Sequence, residues 1–419
     1  THFMRLEERR GAANCLLSVL FVCQAIIHVA AFSLPLQGHS AAAFATRGPL
    51  PLTSVKTGLS KPDKAGASKP RTDQHATMSS ATTSNGVPDL QTESVSFLAD
   101  HGVKISPLPV LGAEVTGLDL RAVKKDNHLL PVLQKEMAAR GYLVFRGQGV
   151  LSGDEQVSAS ELFGGQEIHS THGVHPAAPN KHIFRLSNDQ EHGILGVGPQ
   201  WHNDGSFVRA VFSHVGYHIV RVPENGGATT FCHQGAAFDA LSEEEKEVWQ
   251  RRVSINSNSG VIHPLVHEHP ISGRKSVYLH LGMTGAVLEM KKGCDKVKGM
   301  DDLRLLDKDE MLQLFNRYNA LLNDPAYSRD HQYAEGDCIF IDNLAIAHRA
   351  SKEAHGDPQK QGLRILHRTT VKGMVDFDPP EQFSLPPVIN VYGPNPFGAG
   401  VFIGGGIGFR WDPTIHMQN

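Results

Sequence analysis

The sequence predicts a mainly β fold with flanking helices, a β-sandwich or jelly roll carrying helices on its outer face. Three observations support this. Short runs rich in β-branched and aromatic residues dominate from His182 onward. Helical periodicity is confined to a few segments around them. No internal repeat and no strand–helix alternation of the parallel-sheet type is present.

The elements can be argued in order. Folded structure is expected from about Val95. Val103 to Val110 alternates apolar residues but contains Pro107 and Pro109. Proline has no N–H to give a ladder, so this strand belongs at a sheet edge. Leu129, Leu130, Val132, Leu133, Met137 and Ala138 recur at helical spacing, and Gly141 stands where that helix should stop. Tyr142 to Phe145 reads as a buried strand. Ser152 and Glu155 form a capping box that opens a helix towards Phe163. Further strands are expected at Val211–Val220, Ala228–Cys232, Ser276–Leu281, Cys338–Ile341 and Arg364–Val371. Helices are expected at Ser242–Trp249, again opened by a Ser-x-x-Glu box, and at about Lys308–Leu322.

Composition narrows the function. The chain has 419 residues, 20% of them charged, and a net charge of −3, which gives no support to nucleic-acid binding. Its five cysteines form no Cys-x-x-Cys pair, so a zinc ribbon or thioredoxin-type motif is not indicated. Cys232 and Cys338 lie in strand-like runs and read as small buried apolar side chains. The 24 histidines raise the prior for a metal site without locating one.

Residues 1–90 read as a targeting leader and linker. Arg5, Arg9 and Arg10 precede an apolar run from Cys15 to Phe32, the pattern of a signal peptide. Residues 33–90 are Ser-rich, basic and acid-poor, which is transit-peptide chemistry. Together they resemble the bipartite plastid presequence of algae with secondary plastids, with Ala31-Phe32 and Ala43-Phe44 in the cleavage context. A plastid address is the expectation; with Met78 as the true start it becomes cytoplasmic. The mature protein is not expected to span a membrane. The folded domain is expected at 91–378, with a lid or insertion at about 253–305. The Pro- and Gly-rich tail, 379–419, should wrap the surface or stay mobile.

The chemistry centres on Trp201-His202-Asn203-Asp204-Gly205. On a strand, residues i and i+2 face the same side, so His202 and Asp204 can offer an imidazole and a carboxylate to one ion. His-x-Asp alone is a weak signal, since His355-Gly356-Asp357 repeats it in a segment that reads as a turn before Pro358. His348, after the turn and strand of Gly336 to Asn343, supplies a third ligand. Two histidines and one carboxylate form a facial triad that leaves three positions open, the expected site for non-haem Fe(II) oxygenases. A 2-oxo acid would chelate through two of those positions and leave the last for O₂. Arg364, in the apolar run Leu363-Arg364-Ile365-Leu366, suits the distal carboxylate of 2-oxoglutarate, because a guanidinium pairs bidentately and stays charged. Thr229 offers a hydroxyl to the same group.

On these residues the chain resembles the taurine dioxygenase / 2,4-dichlorophenoxyacetate dioxygenase (TauD/TfdA-like) family of Fe(II)/2-oxoglutarate enzymes, from about Ile105 to Val371. Leu111 to Leu120, Tyr142 to Gln148 and Leu162-Phe163-Gly164 resemble its opening segments. Trp201-His202-x-Asp204, Gly226-Gly227-Ala228-Thr229 and Gly336-Asp337 through His348 follow in the family's order. The resemblance implies a double-stranded β-helix (jelly-roll, cupin-like) core with Fe(II) on His202, Asp204 and His348. It further implies 2-oxoglutarate on Arg364 and Thr229, O₂ as oxidant, and ascorbate as an in vitro reductant. The expected outcome is oxidation of an unactivated C–H bond in a small-molecule substrate, with release of succinate and CO₂. Arg368 matches a second family arginine, which suggests either an anionic substrate or a structural ion pair. His169 and His172, with His175, occupy a loop where relatives contact substrate. Leu344 departs from the family, which often has arginine there.

Two rivals use the same residues: a Zn²⁺ hydrolase or isomerase, and a non-catalytic jelly-roll binding protein. Neither needs a pocket for a 2-oxo acid. His263, His267 and His269 read as solvated or lid residues. A homo-oligomer is compatible with all of these readings.

Overall fold

The computed structural model describes residues 84–163, 174–257, 259–294, 302–373, 389–394, 401–405 and 408–409. The expected leader up to residue 83, and the loop histidines His169 and His172, lie outside the described residues.

The strands, in chain order, begin with β1 (Lys104–Pro107), β2 (Ala113–Thr116), β3 (Tyr142–Phe145), β4 (Phe184–Ser187), β5 (His214–Arg221) and β6 (Thr229–His233). Next come β7 (Arg252–Asn256), β8 (Ile262–Pro264), β9 (Val266–Glu268), β10 (Lys275–Val277), β11 (Thr284–Met290) and β12 (Leu303–Leu305). The series continues with β13 (Ser328–His331), β14 (Cys338–Asp342), β15 (Ile346–Ala350) and β16 (Ile365–Val371). The large sheet runs β1-β2-β3-β14-β5-β16-β4, and a small sheet runs β13-β6-β15. Only the β2–β3 pair of the large sheet is parallel, and its crossover carries the helix Leu129–Arg140. β1 is the edge strand its prolines require, and it ends at Pro107.

The central strands of the large sheet are apolar on both faces because each face has its own partner. Tyr142, Val144, Ile339 and Ile341 share a cluster with Phe231, Cys232 and Ala347 of the small sheet. Their alternates Leu143, Phe145, Cys338 and Phe340 pack with Leu98, Leu130, Leu133 and Met137 of the outer helices. A period of two thus assigns neighbouring residues to two different cores. Burying each large apolar side chain contributes about 1.5–3 kcal/mol. The arrangement is two β layers face to face with helices outside, the jelly roll expected from the sequence.

The helices follow their signals. Ser152 and Glu155 close a capping box over Gly153–Ser160, a helix that ends before the expected Phe163. Ser242 and Glu245 do the same for Glu243–Gln250, and Asp307 and Glu310 for Lys308–Leu322. Gly141 ends the helix Leu129–Arg140 at φ 92°, and a Cβ there would lie 2.2 Å from Ile346 Cγ2.

Two expectations change. The lid or insertion expected at about 253–305 has, in its described residues, a four-stranded sheet of β12-β11-β7-β8 and a hairpin of β9 and β10. Its His263, His267 and His269 are buried at 2%, 5% and 2% exposure, not solvated. The flanking prolines suggest loop, but Val266–Glu268 between them pairs with Lys275–Val277 from beyond the second proline. The backbone of the tail forms β17 (Ile389–Pro394), β18 (Val401–Gly405) and β19 (Gly408–Phe409), paired antiparallel in the order β18-β17-β19. Glycine, depleted in strands, masks that signal in the sequence. Among the described residues no helix is long and apolar enough to cross a membrane.

Candidate metal centre and anion pocket

His348 sits mid-strand in β15, and His202 lies opposite it in a single antiparallel bridge. The two exchange backbone hydrogen bonds, His202 N–H to His348 O at 3.0 Å and His348 N–H to His202 O at 2.9 Å. That exchange places the rings side by side, with centroids 4.3 Å apart. The expected strand through His202 and Asp204 is not formed: pairing stops at His202, and Asp204 opens a turn. The i, i+2 geometry survives because Asn203 is held on the opposite side. Its Nδ2 donates to Asn343 O, Ile346 O and Gln234 Oε1. Asn343 completes the bracket. Its Oδ1 accepts from Asp204 N–H at 3.0 Å, and its Nδ2 donates to Asp204 O at 2.8 Å. Gly205 turns the chain away at φ 84°, where a Cβ would meet the Phe212 ring at 2.8 Å.

His202, Asp204 and His348 are all buried, and each offers a ligand atom within 4.8 Å of the others. Asp204 Oδ2 lies 3.6 Å from His348 Nε2. His202 Nδ1 is 2.7 Å from Gln200 O. A carbonyl only accepts, so Nδ1 carries the proton and Nε2 keeps its lone pair for an ion. Burial lowers the pKa of both imidazoles, that of His348 to about 3, so both are neutral and ready to ligate at ordinary pH. The donor set suits a divalent transition metal with open coordination positions, and the residues fit Fe(II).

A pocket opens beside the triad. Its wall includes Tyr217, Thr229, His355, Arg364 and Arg368, with Leu186, Val197 and Leu366 as apolar lining. Thr229 is the first residue of β6, and Arg364 immediately precedes β16. Arg364 is 5% exposed, and its Nε donates to Gly227 O at 2.9 Å. Burial lowers its pKa; the neutral hydroxyls of Tyr333 and Tyr217 stand near it, and among the described residues no carboxylate pairs with it. Arg368 Nη1 instead donates to Asp204 Oδ1 at 2.8 Å. Arg364 and Arg368 share the pocket, as their spacing on one strand face requires.

The structure thus brings together six of the eight residues singled out by sequence: His202, Asp204, His348, Thr229, Arg364 and Arg368. His169 and His172 lie outside the described residues. Sequence reasoning missed Asn203 and Asn343, which hold Asp204, and Tyr217. It also read His355 only as a turn residue. His355 is in a turn, yet it reaches the pocket wall. Leu344 packs with Val211 and Tyr278.

Comparison with known proteins gives a consistent picture. Residues 104–370 match the model of the family described as taurine catabolism dioxygenase TauD, TfdA family. An alkylsulfatase of Acinetobacter baylyi is 27% identical over 292 residues, covering 63% of this chain and 83% of that protein. An alpha-ketoglutarate-dependent sulfonate dioxygenase of Saccharomyces cerevisiae is 31% identical over 212 residues, covering 44% of this chain and 50% of that protein. An alpha-ketoglutarate-dependent 2,4-dichlorophenoxyacetate dioxygenase of Cupriavidus pinatubonensis is 26% identical, covering 60% and 92%. Among solved structures, a putative alpha-ketoglutarate-dependent taurine dioxygenase from Burkholderia xenovorans superposes with a TM-score of 0.52 at 21% identity, covering 76% of this chain and all of that one. At that identity the likeness speaks for the fold.

Proposed function

Because the chain belongs to the taurine catabolism dioxygenase TauD, TfdA family, we propose that it is an Fe(II)- and 2-oxoglutarate-dependent dioxygenase that oxidises an unactivated C–H bond of a small, anionic substrate. One observation carries the reading: a buried His-Asp-His cluster stands beside a buried arginine that no carboxylate among the described residues neutralises. Fe(II) with O₂ and 2-oxoglutarate supplies the oxidising chemistry when bound, releasing succinate and CO₂.

The chain's own residues do the rest. His202, Asp204 and His348 hold the metal, with the His202 tautomer set by Gln200 O. Asn203 and Asn343 fix the Asp204 backbone, so the carboxylate enters the site with little freedom left to lose. Arg364 and Thr229 receive the distal carboxylate of the co-substrate. Leu186, Val197 and Leu366 keep that end of the pocket dry, which strengthens the ion pair. Arg368 stands on the same wall with its Nη1 paired to Asp204 Oδ1 at 2.8 Å, so the anionic charge of the substrate rests on the family resemblance. The zinc and binding-protein alternatives leave Arg364 and Thr229 without a task. The plastid address rests on the composition of the leader, and a fluorescent fusion of the full chain tests it.

The enzymatic test is turnover of 2-oxoglutarate to succinate by the Fe(II)-loaded protein with ascorbate, compared with His348→Ala. Succinate formation that disappears in the variant supports the reading. Absence of both turnover and metal-dependent 2-oxoglutarate binding in the wild type would sink it.

A further inference from the structure

The pocket wall has a residue without a role so far. His355 lies in the turn between β15 and β16 and lines the same cavity as Arg364 and Thr229. The turn is pinned in place. Asn188 Nδ2 donates to Gly356 O and Gly362 O, and Gln361 Nε2 donates to Glu353 O. A Cβ on Gly356 would lie 1.9 Å from Gln361 Oε1, so a side chain there would have to displace the Gln361 amide that holds the turn.

The ring is fixed as well. His355 Nε2 is 3.0 Å from Val197 O, a pure acceptor, so Nε2 carries the hydrogen. Nδ1 is then a lone pair in the neutral ring. It is buried, and no protein group among the described residues meets it. A held ring with an unmet buried nitrogen on a ligand pocket is where a polar partner from outside should go.

The charges around the pocket identify that partner. Arg364 and Arg368 come from β16, with Tyr217 from β5 and His348 from β15. His202 completes the wall, and Tyr333 stands against Arg364. Lys352, Glu353 and Asp357 on the turn itself are exposed. The facing charge nearest the ring is therefore cationic. Burial first, and Arg364 after it, hold the imidazole neutral. An entering carboxylate reverses that balance, and the ring can then take a proton from the buffer and donate it from Nδ1.

We propose that His355 is a third contact for the distal carboxylate of the co-substrate, beside Arg364 and Thr229, and that it is protonated as the co-substrate binds. This deepens the 2-oxoglutarate reading and rests on it.

The test is calorimetry of 2-oxoglutarate binding to the full chain loaded with redox-silent Mn(II), in buffers of different ionisation enthalpy. The wild type should take up as much as one proton per 2-oxoglutarate. Its Kd should tighten as pH falls, by up to about tenfold per unit while the ring titrates. His355→Gln and His355→Asn should melt near the wild-type temperature, bind more weakly, and lose both the proton uptake and the pH slope. Wild-type binding without proton uptake overturns the proposal even if both variants fail to fold. So do folded variants that retain the uptake. A Mn(II)-loaded wild type that binds no 2-oxoglutarate overturns the functional reading itself, which separates the two failures.

Discussion

The molecule buries two constellations of the same composition, two histidines and an aspartate, with opposite fates. In the first, His202, Asp204 and His348 turn their donor atoms onto a common point beside the pocket. In the second, His214 at the start of β5 stands opposite Asp342 at the end of β14, and His269 reaches Asp342 from beyond β9. His269 Nε2 lies 3.1 Å from Asp342 Oδ1, which also accepts Leu344 N–H. Burial alone would raise the Asp342 pKa, but His269 outweighs it and the carboxyl titrates at about 2. Its charge is spent inside the protein, tying the inserted hairpin to the large sheet. Among the described residues only the first trio converges closely enough for an ion. Composition does not make a metal site; convergence does.

The contrast can be broken at either end. His348→Ala should abolish metal-dependent succinate formation, a larger loss than the roughly 100-fold upper range for removing a supporting partner. It should leave the fold intact by circular dichroism. His269→Ala should do the reverse. It strands the buried Asp342 and should cost about 3–5 kcal/mol of stability in urea titration. The folded fraction should still bind Mn(II).

Smaller changes sharpen the division. Arg364→Met removes charge-assisted bonds worth about 1.5–3 kcal/mol each, so the Kd for 2-oxoglutarate should weaken by at least about tenfold. Metal affinity measured without co-substrate should hold. Asn343→Ala loosens Asp204 without touching the ion and should weaken metal binding by about 10–100-fold.

Acid gives the gentlest probe. His233, His267, His331 and His367 are buried with pKa values of about 3, and His263 of about 4. In the unfolded chain they titrate near 6.5. Folded values below unfolded ones mean that the unfolded state binds more protons as pH falls, so stability is full above about 6.5 and drops below it. One pH unit lower, each such histidine costs on the order of 1 kcal/mol, visible as a shift in the urea midpoint. The Asp342 contribution runs the same way in a different window, lost between about pH 4 and pH 2.

Much of this was legible in the sequence, for identifiable reasons. Capping boxes and the Gly141 stop are local, and they appear where Ser152, Ser242 and Gly141 predict them. The central strands show as apolar runs because each face has its own core. The triad was legible because its spacing follows a family order. What failed depends on contacts distant in sequence. The burial of His263, His267 and His269 is set by partners such as Ser206 and Asp342, far along the chain. Asn203 and Asn343 act through backbone atoms on the opposite strand, and no local pattern announces that. His355 looked like half of a weak motif because only the folded turn reveals the pocket behind it.

The paired backbone bonds between His202 and His348 have one more consequence. The ligands come from well-separated parts of the domain's sequence, and His348 belongs to one of the last strands of its two main sheets. Any nascent chain shorter than this holds two of the three ligands and cannot close the cluster. Tight metal capture therefore waits until β15 has been synthesised and seated against β6. Closure of the three-ligand cluster is thus a property of the folded domain and not of its first half.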